Sequence, residues 1–408
     1  MFLCYNNSVG FETAVFGHRR DRVARKVRVL HIAEAPGGVE RYLVALLTKL
    51  KQNYSDQLEH ILVCSDSFDA GKFKGLVARV EHVPEMHHAI SFRSDCMSVA
   101  AVRKLIGKYK PDVVYCHSSK AGAIGRMANV GMKNRYGQKN ACVYNAHGWA
   151  FNMKGAGKRV ISSYVMIEKL LAPMTDSIIC ISEFEKNSAL EHGISGPSKL
   201  KVIHNGIDLD EVEKVTSIPR ADLHIPEDAF VVGMVGRLAM QKAPDVFVKA
   251  AAEIKRKIPE AFFMIVGDGL NREEVEKMID DRGMKDSFLI TGWVSDPLDY
   301  IGNFDVAMLL SRWEGFGLVL PEYMLTGKPI VAAKVDAIPE IVSDGKNGIL
   351  VKCEDYVGAA EAAVRLHDDV QLRERLVENG RKIVKDRFNV ERTAKEHRDL
   401  FLRVAGVK

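Results

Sequence analysis

VRVLHIAEAPGGVERYLVALLTKLKQ, residues 27–52, opens the regular part of the chain. Its first seven residues form an apolar run of the length and branching of a buried strand. Gly37 and Gly38 interrupt the run, and apolar residues then return at helical spacing with Glu40, Arg41, Lys49 and Lys51 between them. A strand followed by a covering helix is half of a βαβ unit. The alternation continues outward through HILVC (60–64), MSVAAVRKLIGKY (97–109), DVVYC (112–116), ACVYNA (141–146) and SIICIS (177–182), and KLKVIHNGID (199–208) closes this half. After a polar, irregular stretch over 208–226 it restarts at AFVVGMVG (229–236), AFFMIVGDG (261–269), SFLITG (287–292), VAMLLS (306–311) and PIVAAK (329–334). The pattern predicts an α/β protein with two doubly wound parallel-sheet domains in tandem, joined near 206–226.

Composition agrees. A chain of 408 residues is too long for one ordinary core. With 47% hydrophobic and 27% charged residues it is globular rather than disordered. No apolar run is long enough to span a bilayer, and residues 1–25, ending in Arg19, Arg20, Arg22 and Arg25, read as a tail without a secretory signal. Seven scattered cysteines, several inside apolar runs, fit small buried hydrophobes in a reducing cytoplasm. A net charge of +5 suits an anionic substrate or membrane face, and no nucleic-acid signature accompanies it.

Open parallel sheets bind ligands beyond the carboxyl ends of their strands. The unusual residues collect there: Gly37-Gly38, His117 with Lys120, His147-Gly148, Gly236-Arg237 with Lys242, Gly267-Asp268-Gly269, and Arg312 through Gly317. Arg237 and Lys242 behind a glycine turn suit a diphosphate, though in isolation two solvated cations are the plainer reading. The sharpest segment is Glu314-GFGLVLP-Glu322. Its glycines let a ligand approach backbone amides, Pro321 fits a first helical turn, and Gly327 suits the helix end. Two carboxylates flanking those amides suit sugar and ribose hydroxyls, while a dipole-favoured Glu322 is the plainer alternative. His87-His88 and Asp208-Leu-Asp210 lack completing metal ligands and read as structural. No Walker motif or G-x-G-x-x-G fingerprint is present, which disfavours an ATPase or a dehydrogenase.

Taken together these residues resemble the retaining glycosyltransferases of family four, with the GT-B fold. Glu314 and Glu322 match the family's glutamate, seven residues, glutamate signature. Gly236-Arg237-Leu238 with Lys242 match its G-R-L-x-x-x-K segment, although Ala243 stands where glycine is usual. IICISEF (178–184), VIHNGID (202–208) and IPEIVSDGKNGILV (338–351) are also family-like, and HSSKAG (117–122) with AHGWAF (146–151) resemble a bacterial capsule and exopolysaccharide branch.

The resemblance implies an acceptor domain over 26–206, a nucleotide-sugar donor domain over 207–390, and a helix over 391–408 that crosses back to the first domain. It places Arg237 and Lys242 on the donor diphosphate and Glu322 on the ribose. Glu314, the amides of Phe316, Gly317 and Leu318, and His147 fall around the transferred sugar, with Gly38 and Gly267 lining the donor site. The implied co-substrate is a nucleotide sugar, UDP being the commonest, with no cofactor and no metal. The implied acceptor is a sugar or lipid-linked glycan, met in the cytoplasm or peripherally at the inner membrane face, where Arg19–Lys26 and the helix around Lys104–Lys110 offer positive charge. A sugar-nucleotide epimerase, a non-catalytic sugar-nucleotide-binding protein and a sugar phosphorylase are the rival readings.

Overall fold

The structure, a computed structural model, describes residues 25–35, 37–87, 89, 91–210 and 216–407. The tail read over 1–25 lies outside the described residues except for Arg25, as do Cys4 and His88.

Two parallel sheets form. The first holds β1 (Val27–Ala33), β2 (Leu58–Cys64), β3 (Arg79–His82), β4 (Val113–His117), β5 (Ala141–Asn145), β6 (Ser177–Cys180) and β7 (Leu200–Val202), in the order 3-2-1-4-5-6-7. The second holds β8 (Phe230–Val235), β9 (Ala261–Val266), β10 (Phe288–Ile290), β11 (Val306–Leu309), β12 (Ile330–Ala333) and β13 (Ile349–Val351), in the order 10-9-8-11-12-13. Each sheet reverses its winding once, between β1 and β4 and between β8 and β11. Strands β4, β5 and β9 are buried along their whole length, which explains their unbroken apolar runs.

Helices cover both faces of each sheet. The first domain uses α1 (Gly38–Tyr54), α2 (Phe92–Tyr109), α3 (Ser119–Asn129), α4 (Lys158–Leu171) and α5 (Glu183–Glu191). The second uses α6 (Pro244–Lys257), α7 (Arg272–Asp280), α8 (Leu298–Ile301), α9 (Val319–Leu325), α10 (Ile338–Ile341), α11 (Tyr356–Asp368) and α12 (Val370–Arg387). The last helix, α13 (Val390–Val404), returns to the first domain. Its Ala394, Leu400 and Phe401 join Leu43, Leu46, Leu47 and Leu50 of α1 in one buried core with β1 and β2.

The sequence reading missed β3 and β13 as strands. Both are edge strands without a fully buried residue, and RVEH carries no apolar run to signal one. It also placed His117 in a loop, whereas His117 is the last residue of β4 and is fully buried. Cys64, Cys116, Cys142 and Cys180 are buried free thiols.

The chain crosses between domains twice, and the two crossings are bonded side by side. The amide of Ile207 donates to the Phe388 carbonyl at 2.9 Å, and the amide of Val390 donates to the Ile207 carbonyl at 2.9 Å. A Cβ on Gly206 would stand 2.4 Å from the Asn389 carbonyl oxygen, so this contact requires glycine. Beside the joint, Lys49 of α1 reaches Asp208 at 3.0 Å, Asp210 at 3.1 Å and Glu391 at 3.0 Å. Burial alone would lower its pKa, but the three carboxylates outweigh burial and hold it well above the ordinary value. The Asp208-Leu-Asp210 fragment is thus part of a carboxylate cluster closed by a lysine.

Lys49→Met leaves those three carboxylates facing one another. We expect a loss of about 2 kcal/mol in unfolding free energy at low salt, within what breaking a buried ion pair costs once the exposure of Asp210 and Glu391 is discounted. Salt or mild acid should recover part of it. An unchanged denaturant midpoint at low salt would show that the cluster contributes nothing.

Candidate active site

The carboxyl ends of β1, β4 and β5 face those of β8, β9 and β11 across a cleft. On the second domain the turn after β8 is built from glycines. A Cβ on Gly267, which follows β9 with φ 145°, would fall 2.2 Å from the Gly236 carbonyl oxygen. This close approach presents Arg237 and Lys242 at the cleft. Arg237 is exposed, with one weak contact to Gln241 at 3.4 Å. Lys242 pairs with the buried Glu314, whose carboxylate also accepts from Ser311 Oγ at 2.9 Å. The Glu314 amide is taken by Asp336 at 3.0 Å. Beyond it, the amides of Gly315, Phe316, Gly317 and Leu318 donate to no group among the described residues. They lead into the first turn of α9, where the helix dipole adds positive potential. Gly317 holds φ 84°, and the Phe316 ring turns inward against Phe388, so this segment offers the cleft its backbone rather than that side chain.

Glu322 lies in the first turn of α9 and is buried. Burial raises its pKa, and Arg41 opposes the rise. Arg41 comes from α1 of the other domain and meets Glu322 Oε1 at 2.9 Å. Sequence reasoning missed Arg41; the signal was its place one turn into a helix that opens on Gly37-Gly38. Gly37 has φ 81°, and open space surrounds both glycines.

On the first domain His147 stands in the left-handed region, φ 55°, an uncommon state for a residue with a side chain. The Asn145 side chain holds it there by accepting the His147 amide at 2.8 Å. Burial lowers its pKa to about 3, so the ring is neutral near pH 7. The next residue, Gly148, touches the opposite domain: a Cβ on Gly315 would stand 3.2 Å from both Gly148 Cα and Glu185 Oε1. Lys120 does not reach this cleft; it binds Asp95 at 2.9 Å and the Ala89 carbonyl. Arg312 is likewise committed, gripping Asp245 with both terminal nitrogens at 3.0 and 2.8 Å.

The domains also meet through polar contacts that the sequence did not announce. Ser182 Oγ donates to the Gly315 carbonyl at 2.9 Å, and Glu340 of α10 accepts the amides of Glu183 and Phe184 at the start of α5. Glu185 accepts the Trp149 amide at 2.9 Å, but burial dominates and lifts its pKa to about 7.

Two facing parallel-sheet domains, with basic groups, unpaired amides and paired carboxylates at their shared edge, make up the GT-B architecture that glycosyltransferases use. Comparison with known proteins agrees. Residues 36–211 match Glycosyltransferase Family 4, and residues 216–383 match Glycosyl transferases group 1. The UDP-Gal:alpha-D-GlcNAc-diphosphoundecaprenol alpha-1,3-galactosyltransferase of Escherichia coli is 30% identical over 387 residues, 92% of this chain and 97% of that protein. The capsular polysaccharide biosynthesis glycosyltransferase CapM of Staphylococcus aureus is 27% identical over 334 residues, 79% and 85% of the two chains. Among solved structures, Anabaena Alr3699/HepE in complex with UDP superposes with a TM-score of 0.74 at 22% identity, covering 93% of this chain and all of that one. The chain belongs to the family-four glycosyltransferases, and the epimerase and binding-protein readings are not favoured.

Glu185 supplies a pH test of the domain junction. Its folded pKa, about 7, lies above the unfolded value of 4.5. Its contribution is therefore fully present below pH 4.5 and is lost as pH rises through 7, with a ceiling of about 3 kcal/mol. Glu185→Gln should remove that decline, so the thermal stability of the wild type should fall relative to the variant between pH 5 and 8. Parallel curves would refute the assignment.

Proposed function

We propose that this chain transfers a sugar, with retention of anomeric configuration and without a metal, from UDP-sugar to a hydroxyl of a lipid-linked or polysaccharide acceptor in cell-surface polysaccharide assembly. The observation that carries the reading is the convergence of Arg237, Lys242 and the unpaired amides of residues 315–318 on one side of a cleft whose other side presents His147 and Gly38. The names of the Escherichia coli and Staphylococcus aureus relatives supply the substrate class.

Arg237 and Lys242 neutralise the charge that grows on the departing nucleoside diphosphate, and the α9 amides share it. Lys242 exchanges part of its contact with Glu314 for phosphate oxygens, leaving Glu314 to accept hydroxyls of the transferred sugar. The ribose hydroxyls replace Arg41 at Glu322. Gly38 lies against the phosphates, where a side chain would intrude, and Gly267 keeps the Gly236 turn compact beneath them. His147 faces the sugar from the acceptor side. The acceptor hydroxyl attacks on the face the leaving group departs from, passing its proton to the leaving phosphate. Two fixed cations on the diphosphate do the electrostatic work a divalent ion would otherwise do.

The acceptor class implies a membrane face, and the enzyme acts there on the cytoplasmic side. No described helix is long and apolar enough to cross a membrane. Of the basic groups named for attraction, Arg25 is held by Asp112 and Lys108 by Glu81 at 2.7 Å. The stronger surface is α4, which packs Ile161, Tyr164 and Val165 inward and carries further apolar residues outward. It buries Glu168 against Arg126 at 2.9 Å and turns Met166 (60% exposed), Leu170 (65%), Val160 and Ile167 outward beside Lys158, Arg159 and Lys169. Apolar residues rimmed by lysine and arginine suit an anionic bilayer. The segment just before α4 reaches across the cleft, where Lys154 donates to the Arg312 carbonyl at 2.8 Å, so this helix starts beside the cleft.

Calorimetry without divalent ions should show UDP binding that falls more than tenfold in Arg237→Ala and in Lys242→Ala, the loss of a charge-assisted contact. Turnover should survive a chelator. Absence of binding to UDP, GDP and ADP by folded protein would overturn the donor site. Ile167→Asp with Leu170→Glu should cut sedimentation with anionic vesicles by about tenfold and leave UDP affinity unchanged. Equal sedimentation of variant and wild type would remove α4 from the membrane face.

A further inference from the structure

Four imidazoles of the first domain form a single hydrogen-bonded file that ends at the cleft. His147 Nε2 lies 3.0 Å from His117 Nδ1, His117 Nε2 lies 3.2 Å from His31 Nδ1, and His31 Nε2 lies 3.0 Å from His60 Nδ1. His31, His60 and His117 are buried, and the His31–His117 and His117–His147 rings are stacked. At the far end, His60 Nε2 is buried and has no hydrogen-bond partner among the described residues. At the near end, His147 Nδ1 makes no hydrogen bond among the described residues, and the residue as a whole is half-buried.

A neutral imidazole carries one N–H and one lone pair. Each of the three contacts needs one proton, so the file admits two uniform arrangements. In one, every ring carries its proton on Nε2, and His60 then buries an N–H with nothing to receive it. In the other, every ring carries it on Nδ1, and His60 buries only a lone pair. Orphaned buried N–H groups are the rarer and costlier defect, so the second arrangement prevails. One added proton would put an N–H at both ends of the file, including the partnerless His60 Nε2, and burial lowers the pKa of His60 and of His147 to about 3.

The groups around the file do not reverse this choice. Tyr42 packs edge-on against His147 with centroids 4.6 Å apart, and Tyr115 lies 4.0 Å from His117. The hydroxyls of both tyrosines bond to His397 Nε2, at 2.8 and 3.1 Å, and His397 Nδ1 donates to the Thr393 carbonyl at 2.7 Å. That carbonyl fixes the His397 tautomer, so the tyrosine cluster is satisfied within itself. Lys26 and Lys51 add positive potential at His60, which disfavours an added proton there.

We propose that His60, His31 and His117 are positioning residues that hold His147 in its Nδ1–H tautomer, so that a neutral N–H donor at Nδ1 faces an oxygen of the transferred sugar. The statement about the sugar rests on the function proposed above; the statement about the tautomer does not.

Long-range nitrogen-15 correlation spectra of the full chain, with ring signals assigned by single substitutions, read the tautomer directly. All four rings should show protonated Nδ1 at pH 7.5, and a His147 protonated on Nε2, or on both nitrogens, would overturn the proposal whether or not any variant folds. His60→Met puts a group that accepts but cannot donate beside His31 Nε2. It should give mixed His147 tautomers and about a tenfold lower kcat, the worth of one neutral hydrogen bond, at unchanged UDP affinity. His60→Asn, whose amide can donate from nearly the same place, should restore both. A kcat in His60→Met equal to wild type, with His147 still uniformly protonated on Nδ1, would show that the file does not set the tautomer. The intended tautomer in a protein without sugar transfer would instead count against the function.

Discussion

Everything about the cleft depends on the joint where the two chain crossings are bonded to each other. The backbone bonds between Ile207 and the Phe388–Val390 segment make one narrow connection out of two. Lys49 guards the joint from the first domain by engaging carboxylates of both crossings, Asp208 and Asp210 on one and Glu391 on the other. The domains are thus joined along one short line beside which the cleft opens.

A second theme is that the buried carboxylates facing the cleft are paired internally. Lys242 holds Glu314 within one domain, and Arg41 holds Glu322 across the two. Buried carboxylates without partners would be costly, so each has a cation that also lies where an anionic ligand would approach. The Arg41–Glu322 contact joins the domains as well, so the same side chain that satisfies α9 helps to hold the cleft closed.

Much of this was legible in the residues. The apolar runs of β1, β4, β5, β8 and β9 declare parallel strands because buried strands leave no polar alternation to misread, and the glycines and charges at their ends declare where the cleft lies. Glu314, Glu322, Arg237 and Lys242 could be named because chemistry at a strand end is local. What could not be read was pairing over distance. Arg41 is an ordinary surface arginine until α9 is brought against it. Glu185 is an ordinary helix-start glutamate until Trp149 and Gly315 bury it. His31 and His60 look like single histidines in apolar strands, and only the register of β1 with β2 and β4 makes them neighbours. The edge strands β3 and β13 failed for a different reason, since partial burial gives a sequence little to encode. The apolar outer face of α4 was passed over because a helix with hydrophobic residues on one side is ordinarily read as packed on that side.

The return of α13 has a consequence for how the molecule is made. Ala394, Leu400 and Phe401 fill the core beneath β1 and α1, yet they are synthesised after the whole of the second domain. The domain that emerges first therefore stays incomplete while the other is being translated, with the apolar face of α1 lacking its cover. Its completion is also the event that ties the second crossing beside the first. In this chain the domain made before the other is the one finished after it.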